Sequence, residues 1–318
     1  MASSRRRGAP PPSKEDAVVH RVAEVFGRSG GAPPAGDVWI GDDAAVVTVA
    51  RGRLVFSTDA AVAGVHADLS LTGLDDLGWK ALTATVSDIG AVGARPSYAV
   101  VDFCVPPGTD LVLLATGVAA AAKEWACPVV GGDVTTASDV VVSAAAIGVL
   151  EGEGPPVLRS GASPGDRLVV TGPLGGSAAG LRLLRAGIRE PASAIAAHAR
   201  PRARIAEGIV ARDAGATAMM DVSDGLALDL HRLAEASGVG VVLHTVPVAQ
   251  GATEEEALGG GEDFELVVAS PDPAGLVDAF VSAGLRPPIE FGRCSADRAE
   301  RTLRGRPLER SGFEHVIG

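Results

Sequence analysis

An α/β (α+β) protein of two domains is what this sequence predicts, and three observations carry the prediction. Apolar β-branched runs alternate with amphipathic stretches along the chain. A Gly/Pro cluster at Glu151–Pro156, EGEGPP, interrupts that alternation near the middle, and a fresh pattern starts after it. A length of 318 residues suits two domains of similar size better than one. With 47% hydrophobic residues but only 3% aromatic ones, the cores must be built mainly from Val, Leu, Ile and Ala.

Residues 1–15 pair a basic run with three consecutive prolines and lack the apolar stretch of a secretory signal, so they read as a disordered tail. The first domain is expected over 16–152. Its strands are predicted at Leu54–Thr58, Tyr98–Val105, Pro128–Gly131 and Val140–Leu150, its helices at Asp75–Val92 and Asp110–Trp125. The first of these helices opens with acids, which suit the positive end of a helix dipole. In the second domain, 153–318, strands are predicted at Arg167–Thr171, Ala218–Val222, Val239–His244 and Leu266–Ala269. Helices are predicted there at Ser177–Ala186, Pro201–Asp213, Leu226–Ala236 and Pro273–Ala283, with Pro201 at a first helical position. No repeat at a fixed period is present.

Gly, Asp, Arg or Pro breaks every stretch before it reaches the roughly 18 apolar residues of a membrane helix, so no membrane partner is expected. Cys104, Cys127 and Cys294 lie far apart and form no CxxC pair, which points away from a zinc site and toward a reducing cytoplasm. A formal net charge of −11 argues against nucleic-acid binding, which needs a cationic face.

The informative feature is where the aspartates sit. They recur at the ends of predicted strands and in Gly-rich turns: Gly41-Asp42-Asp43, Ser57-Thr58-Asp59, Ser87-Asp88, Gly131-Gly132-Asp133 and Asp221-Val222-Ser223-Asp224-Gly225. A single Gly-Asp or Asp-Gly is ordinarily a turn pair. Several carboxylates converging on one cleft, however, would repel by roughly 4 kcal/mol per pair at 4 Å and an effective dielectric of 20. A cation must then balance them. Oxygen ligands without Cys or His point to Mg²⁺ bridging protein carboxylates and substrate phosphates. The chemistry is phosphoryl transfer or phosphate-ester hydrolysis. The only lysines are Lys14, Lys80 and Lys123, and none lies in a GxxxxGK[ST] run, so no P-loop exists; the protein-kinase motifs are missing too. Gly172-Pro173-Leu174-Gly175-Gly176 opens a predicted helix, where backbone N–H groups could hold an anion.

Read in order, the segments IGDDAAVV, STDAAVAGVH, GWKALTATVSDIGAVGARP, VVGGDVTT, RSGASPGDRLVVTGPLGGSAAGL, HARPRARI, MDVSDGLALDL and GGGEDFEL resemble thiamine-monophosphate kinases of the aminoimidazole-ribonucleotide-synthetase-like superfamily. The resemblance runs from about Trp39 to Leu266. It implies an N-terminal sheet domain that dimerises, a C-terminal α/β domain, and ATP and Mg²⁺ in the cleft. Carried over, the Mg²⁺ ligands fall on Asp43, Ser57, Thr58, Asp59, Asp88, Asp133, Asp221 and Asp224, with Asp88, Asp133 and Asp221 as the catalytic set. ATP contacts fall on Gly132, Asp133, Arg159 and Ser223, and thiamine monophosphate contacts on His66 and Glu262. The implied reaction is ATP-dependent phosphorylation of thiamine monophosphate to thiamine diphosphate by direct in-line transfer.

Three positions depart from the family pattern. Ala67 stands where an aromatic is usual, Phe264 replaces a common Tyr, and the C-terminal Gly-Trp-type motif reads Arg310-Ser311-Gly312-Phe313-Glu314-His315. Alternatives within the superfamily are an aminoimidazole-ribonucleotide synthetase, a selenophosphate synthetase and a hydrogenase-maturation carbamoyl dehydratase. The latter two need reactive cysteines this chain lacks, and GGGEDFEL with MDVSDGL favours the kinase over the first. Outside the enzymes, the alternative is a catalytically retired nucleotide-binding protein.

Overall fold

The computed structural model describes residues 14–35, 37, 39–40, 45, 47–49 and 52–315. The expected metal ligand Asp43, like most of the tail, lies outside the described residues.

The first half folds as α1 (Lys14–Gly30), β1 (Arg53–Val62), α2 (Leu74–Ala91), β2 (Arg95–Val105), α3 (Leu111–Glu124), β3 (Val129–Thr136) and β4 (Val141–Leu150). Its four-stranded sheet has the order β1-β4-β2-β3; β4 is antiparallel to β1 and β2, and β3 is parallel to β2. α1 is an element the sequence reading did not anticipate.

Strand alternation explains the layering. Val142, Ala144 and Ala146 of β4, and Ala99, Val101 and Phe103 of β2, are buried in the cluster that also holds Leu82, Val86 and Ile89 of α2 and Leu114 and Val118 of α3. Burying each of the Val, Leu, Ile and Phe side chains among these contributes about 1.5–3 kcal/mol, and each Ala methyl less. Truncating the fully buried Leu82 to Ala would cost about 2–5 kcal/mol. The other face of the sheet carries Leu54, Phe56 and Val100 in the open, Phe56 at 69% exposure.

The second half folds as β5 (Arg167–Val170), α4 (Gly176–Arg185), α5 (Ala192–Ala199), α6 (Ile205–Asp213), β6 (Ala218–Asp221), α7 (Leu226–Ser237), β7 (Gly240–Leu243), α8 (Glu254–Gly259), β8 (Leu266–Ser270), α9 (Pro273–Ser282), β9 (Ile289–Ser295), β10 (Arg301–Leu303) and β11 (Arg306–Pro307). The sheet order is β11-β10-β7-β9-β5-β8-β6, and every pairing is antiparallel except β10 with β7. Both of its faces are covered. Leu168 and Val170 join a core with Leu226, Leu230 and Leu233 of α7, while Val169 faces Ala211 of α6 and Leu276 and Phe280 of α9.

One expectation about helix boundaries is corrected. Pro201 does not open a helix; α6 begins at Ile205. The chain before it is tied to the first domain: the Pro201 carbonyl accepts from Trp79 Nε1 at 2.8 Å, and Arg200 pairs with Asp75 and Asp76 in the first turn of α2.

α2 is the element the two halves share. It packs on β1 and β4, and also on α6 and β6. The crossing with α6 is close: a Cβ on Gly208 would lie 2.0 Å from the Gly90 carbonyl oxygen, so no larger residue fits.

Candidate active site

At one end of the interdomain cleft, two serines reach across element boundaries to orient two carboxylates. Ser57 shares the inward face of β1 with Val55, and its Oγ donates to Asp88 Oδ2 at 2.6 Å. The next side chain on α2, Ser87, donates to Asp221 Oδ2 at 2.5 Å. Asp221 ends β6 and is only 3% exposed. Burial pushes its pKa well up, to about 7, and the nearby Asp88 adds to this while the Ser87 bond opposes it. Asp88 is half-buried and also raised by burial, against the bond from Ser57 and the charge of Arg159. Asp59 keeps more than a third of its surface open at the cleft mouth. Partial enclosure nevertheless lifts its pKa, against a bond from the Ala60 N–H, and Asp88 and Asp224 push further in the same upward direction.

Asp224 lies in the turn between β6 and α7. That turn is held by Asp229, whose Oδ2 accepts from the N–H groups of Asp224 at 3.1 Å and Gly225 at 3.2 Å. Arg232 pairs with both Asp224 and Asp229. Burial raises Asp229 to about 6. Asp229 and Arg232 were not singled out from the sequence, although Asp229 lies inside the quoted MDVSDGLALDL segment. A cleft of about 490 Å³ opens beside this cluster, lined among others by Ser57, Asp88, Leu158, Arg159 and Asp221. Among the described residues no three acids, histidines or cysteines form a ready-made metal cage.

Two expected ligands face elsewhere. Thr58 follows the period of the strand onto the open face, where its Oγ1 donates to the Ala144 carbonyl at 3.1 Å. Gly132 and Asp133 sit on β3 at the far edge of the sheet. The register runs Asp59, Ala144, Val101, Gly132, three strand steps or about 14 Å across. Within one chain they lie by Val22 and Phe26 of α1, away from the Asp88–Asp221 pair. Gly132 has φ +152°, and a Cβ there would sit 1.9 Å from the Val101 carbonyl oxygen.

The other end of the cleft brings His66 and Glu262 together through a residue with no role assigned from the sequence. His66 lies in a turn after β1, where its Nδ1 accepts from the Val62 N–H at 3.0 Å. Burial lowers its pKa, while Glu262 and Asp59 act against that shift. Lys80 of α2, 3% exposed, donates to the His66 carbonyl at 2.9 Å and to Glu262 Oε2 at 2.7 Å. Glu262 and Phe264 have φ of 65° and 50°, left-handed values that cost side-chain-bearing residues about 1–3 kcal/mol each. Their N–H groups are tied to the carbonyls of Ser223 and Val222 at 2.8 and 2.9 Å, which fastens the GGGEDFEL loop to the Asp224 turn. Ser223 thus meets the site through its backbone.

Behind Glu262 lies His198, whose Nδ1 is 3.2 Å from Ser177 Oγ. Burial, assisted by Lys80 and Arg185, pushes its pKa down to about 3, so it is neutral at physiological pH. The C-terminal segment folds over the same end. The Phe313 N–H donates to the Asp224 carbonyl at 2.9 Å, and the His315 ring stands 5.6 Å from that of His66 and 4.8 Å from that of Phe313. The segment that departs from the Gly-Trp-type motif thus brings two rings, Phe313 and His315, to this end.

The glycine turn at Gly172–Gly176 does not offer an open anion site. Asp263 fills the start of α4, accepting from the N–H groups of Gly175 at 2.6 Å and Ser177 at 3.0 Å. The anion at that helix terminus is the protein's own carboxylate.

This pair of sheets with an acid-lined cleft between them is the architecture of AIR synthase related proteins: the family's N-terminal domain matches residues 41–150 and its C-terminal domain residues 163–301. Within that class, a thiamine-monophosphate kinase of Methanopyrus kandleri is 34% identical over 288 residues, covering 86% of this chain and 90% of its own. A thiamine-monophosphate kinase structure from Stenotrophomonas maltophilia K279a superposes with a TM-score of 0.80 at 29% identity, over 92% of this chain and 97% of that one. A second structure, described as AaThiL complexed with AMPPCP and TMP, gives a TM-score of 0.75 at 30% identity over 93% and 96% of the two chains. The chain belongs to the thiamine-monophosphate kinase family.

Proposed function

We propose that this protein transfers the γ-phosphoryl group of ATP to thiamine monophosphate, forming thiamine diphosphate and ADP. The observation that carries the reading is one cleft with two unlike ends: crowded carboxylates with elevated pKa values beside Arg159, and a neutralised pocket of His66, Lys80 and Glu262 under the rings of Phe313 and His315.

The donor set suits Mg²⁺, being all oxygen and held in mutual repulsion that a divalent cation would relieve. Asp59, Asp88, Asp221 and Asp224 with Ser57 would hold it, and the family pattern adds Asp43, Thr58 and Asp133. Mg²⁺ ordinarily keeps several waters and completes its shell with phosphate oxygens, so a few protein carboxylates suffice. When bound, Mg²⁺ neutralises phosphate charge as the two anions approach. Ser57 and Ser87 keep their carboxylates aimed, and Arg159 adds positive potential at the same place. Gly132, Asp133 and Ser223 are assigned to ATP with Arg159 by the family pattern.

At the acceptor end, Glu262 suits the amino group of the pyrimidine ring as hydrogen-bond acceptor, and the aromatic rings suit its flat faces. A phosphate monoester has a second pKa near 6, so the acceptor is already largely a dianion. No side chain needs to remove a proton, and the transfer runs in line without a phosphoenzyme.

The open sheet face, with Leu54, Phe56 and Val100 exposed around a depression of about 460 Å³, supports a homodimer formed by two such faces. Three unpaired cysteines support a cytoplasmic setting. The direct test is chromatographic: ATP, Mg²⁺ and thiamine monophosphate should yield thiamine diphosphate and ADP in equal amounts, while thiamine in place of its monophosphate should give no product. Product from thiamine, or none from the monophosphate, would refute the assignment.

A further inference from the structure

We propose that Lys80 is a positioning residue for the acceptor substrate, holding the backbone of His66 and the carboxylate of Glu262 in one arrangement across the domain boundary. The inference rests on the reading that His66 and Glu262 receive thiamine monophosphate. A lysine at 3% exposure has given up almost all its hydration, which is costly unless its ammonium is paired. Both of its bonds go to that end of the cleft, one to the carbonyl of His66 and one to Glu262 Oε2, whose residue lies 182 positions away. Glu262 is a poor candidate for self-positioning, because its backbone is left-handed and its side chain is 25% exposed. Lys80 occupies Oε2 and leaves Oε1, which accepts no bond from the described residues, to receive a donor from the substrate.

The contact differs from the surface ion pairs of this molecule, such as Arg95 with Glu151, where both partners are more than half exposed and little is gained. Here one partner is buried and the other is a candidate ligand group, so removing the ammonium should alter recognition as well as folding.

Steady-state kinetics of the full chain decide the matter, with Lys80→Met, Glu262→Gln and the double variant. For Lys80→Met we expect KM for thiamine monophosphate to rise about tenfold, with KM for ATP and kcat each within about threefold. The double variant should be no worse than the poorer single one, because both changes disable the same arrangement. Lys80→Arg, which keeps the charge, should fall between wild type and Lys80→Met, and it serves alone if the methionine variant does not fold. An unchanged acceptor KM in Lys80→Met, or for either Lys80 variant a uniform loss in kcat, both KM values and Tm, overturns the proposal and leaves a plain structural tie. If Glu262→Gln itself leaves the acceptor KM unchanged, the underlying reading of Glu262 fails instead, so the two failures are distinct.

Discussion

The two ends of the cleft solve opposite electrostatic problems. Around Asp88 and Asp221 the protein leaves carboxylates close together, partly stripped of water and with elevated pKa values. Around His66 and Glu262 it supplies its own cation, Lys80, and keeps the adjacent His198 neutral. The first end is incomplete without added positive charge; the second is satisfied before any ligand arrives. On the function proposed above, the end that would receive a metal with a polyphosphate is poised by repulsion, and the end that would receive an organic ring is poised by internal pairing.

If that contrast is right, the largest effect should come from the incomplete end. Asp88→Asn should abolish turnover while the fold persists, since the residue lines the cleft, is only half-buried, and belongs to no apolar core. Activity above about a tenth of wild type, a barrier change of less than roughly 1.4 kcal/mol, would show that Asp88 is not essential. At the satisfied end the effect should be smaller and of another kind. His66→Asn should raise KM for thiamine monophosphate about tenfold while kcat and its pH dependence change little; a fall in kcat of about 10² or more would instead mark His66 as a general base.

Thermal stability offers the next comparison. Mg²⁺ and ATP together should raise Tm by more than the sum of their separate shifts, because each completes the binding site of the other. Strictly additive shifts would mean independent sites.

The smallest effect is that of pH on the protein in EDTA. Asp221 has a folded pKa near 7, above its ordinary 3.8, so its contribution is fully present at low pH and is lost as pH rises through 7. His198 works in the other direction: depressed to about 3, it contributes stability above the ordinary histidine value of 6.5 that is lost as pH falls. Between pH 6.5 and 8 the aspartate contribution falls by somewhat less than about 1 kcal/mol, and the last of the histidine contribution, gained as the unfolded imidazole gives up its charge, offsets about half of that fall. Calorimetry should therefore show a shallow Tm decline of about 1 °C or less over that window, and Mg²⁺ should flatten it. A Tm that climbs over the same range would contradict the buried-carboxylate account.

How much of this was legible in the sequence depended on how local each signal was. β1, β2, β4 and α2 were readable because β-branched runs and an acid-led amphipathic stretch declare themselves within a dozen residues. β9, IEFGRCS, was missed because an acid, a glycine and an arginine interrupt its apolar pattern, and α8 because it is only six residues long. α1 was hidden behind the proline-rich segment that precedes it. The aspartates were legible as a set because they recur in short Gly-, Ser- and Thr-flanked segments, although the expectation of strand ends holds for Asp221 alone of the strand residues: Asp59 and Asp133 lie within β1 and β3, and Asp88 within α2. Ser87, Lys80 and Asp229 were not legible, because what matters about the first two are contacts to residues 134 and 182 positions away, and Asp229 looks like an ordinary helix-start acid. Thr58 shows the converse: adjacent to Ser57 in sequence, it is sent to the opposite face by the pleat of the strand.

The sharing of α2 between the domains has a metrical consequence. Lys80, Ser87 and Asp88 all belong to this helix. At 1.5 Å per residue, the step from Lys80 to Ser87 spans about 10 Å, close to two turns, so both side chains emerge on nearly the same side. The helix is a gauge: its pitch, and no adjustable loop, fixes how far the acceptor pocket stands from the carboxylates. Inserting one residue between Lys80 and Ser87 would turn everything beyond it by about 100° and lengthen the gauge by about 1.5 Å, leaving every site residue present and the two ends out of step.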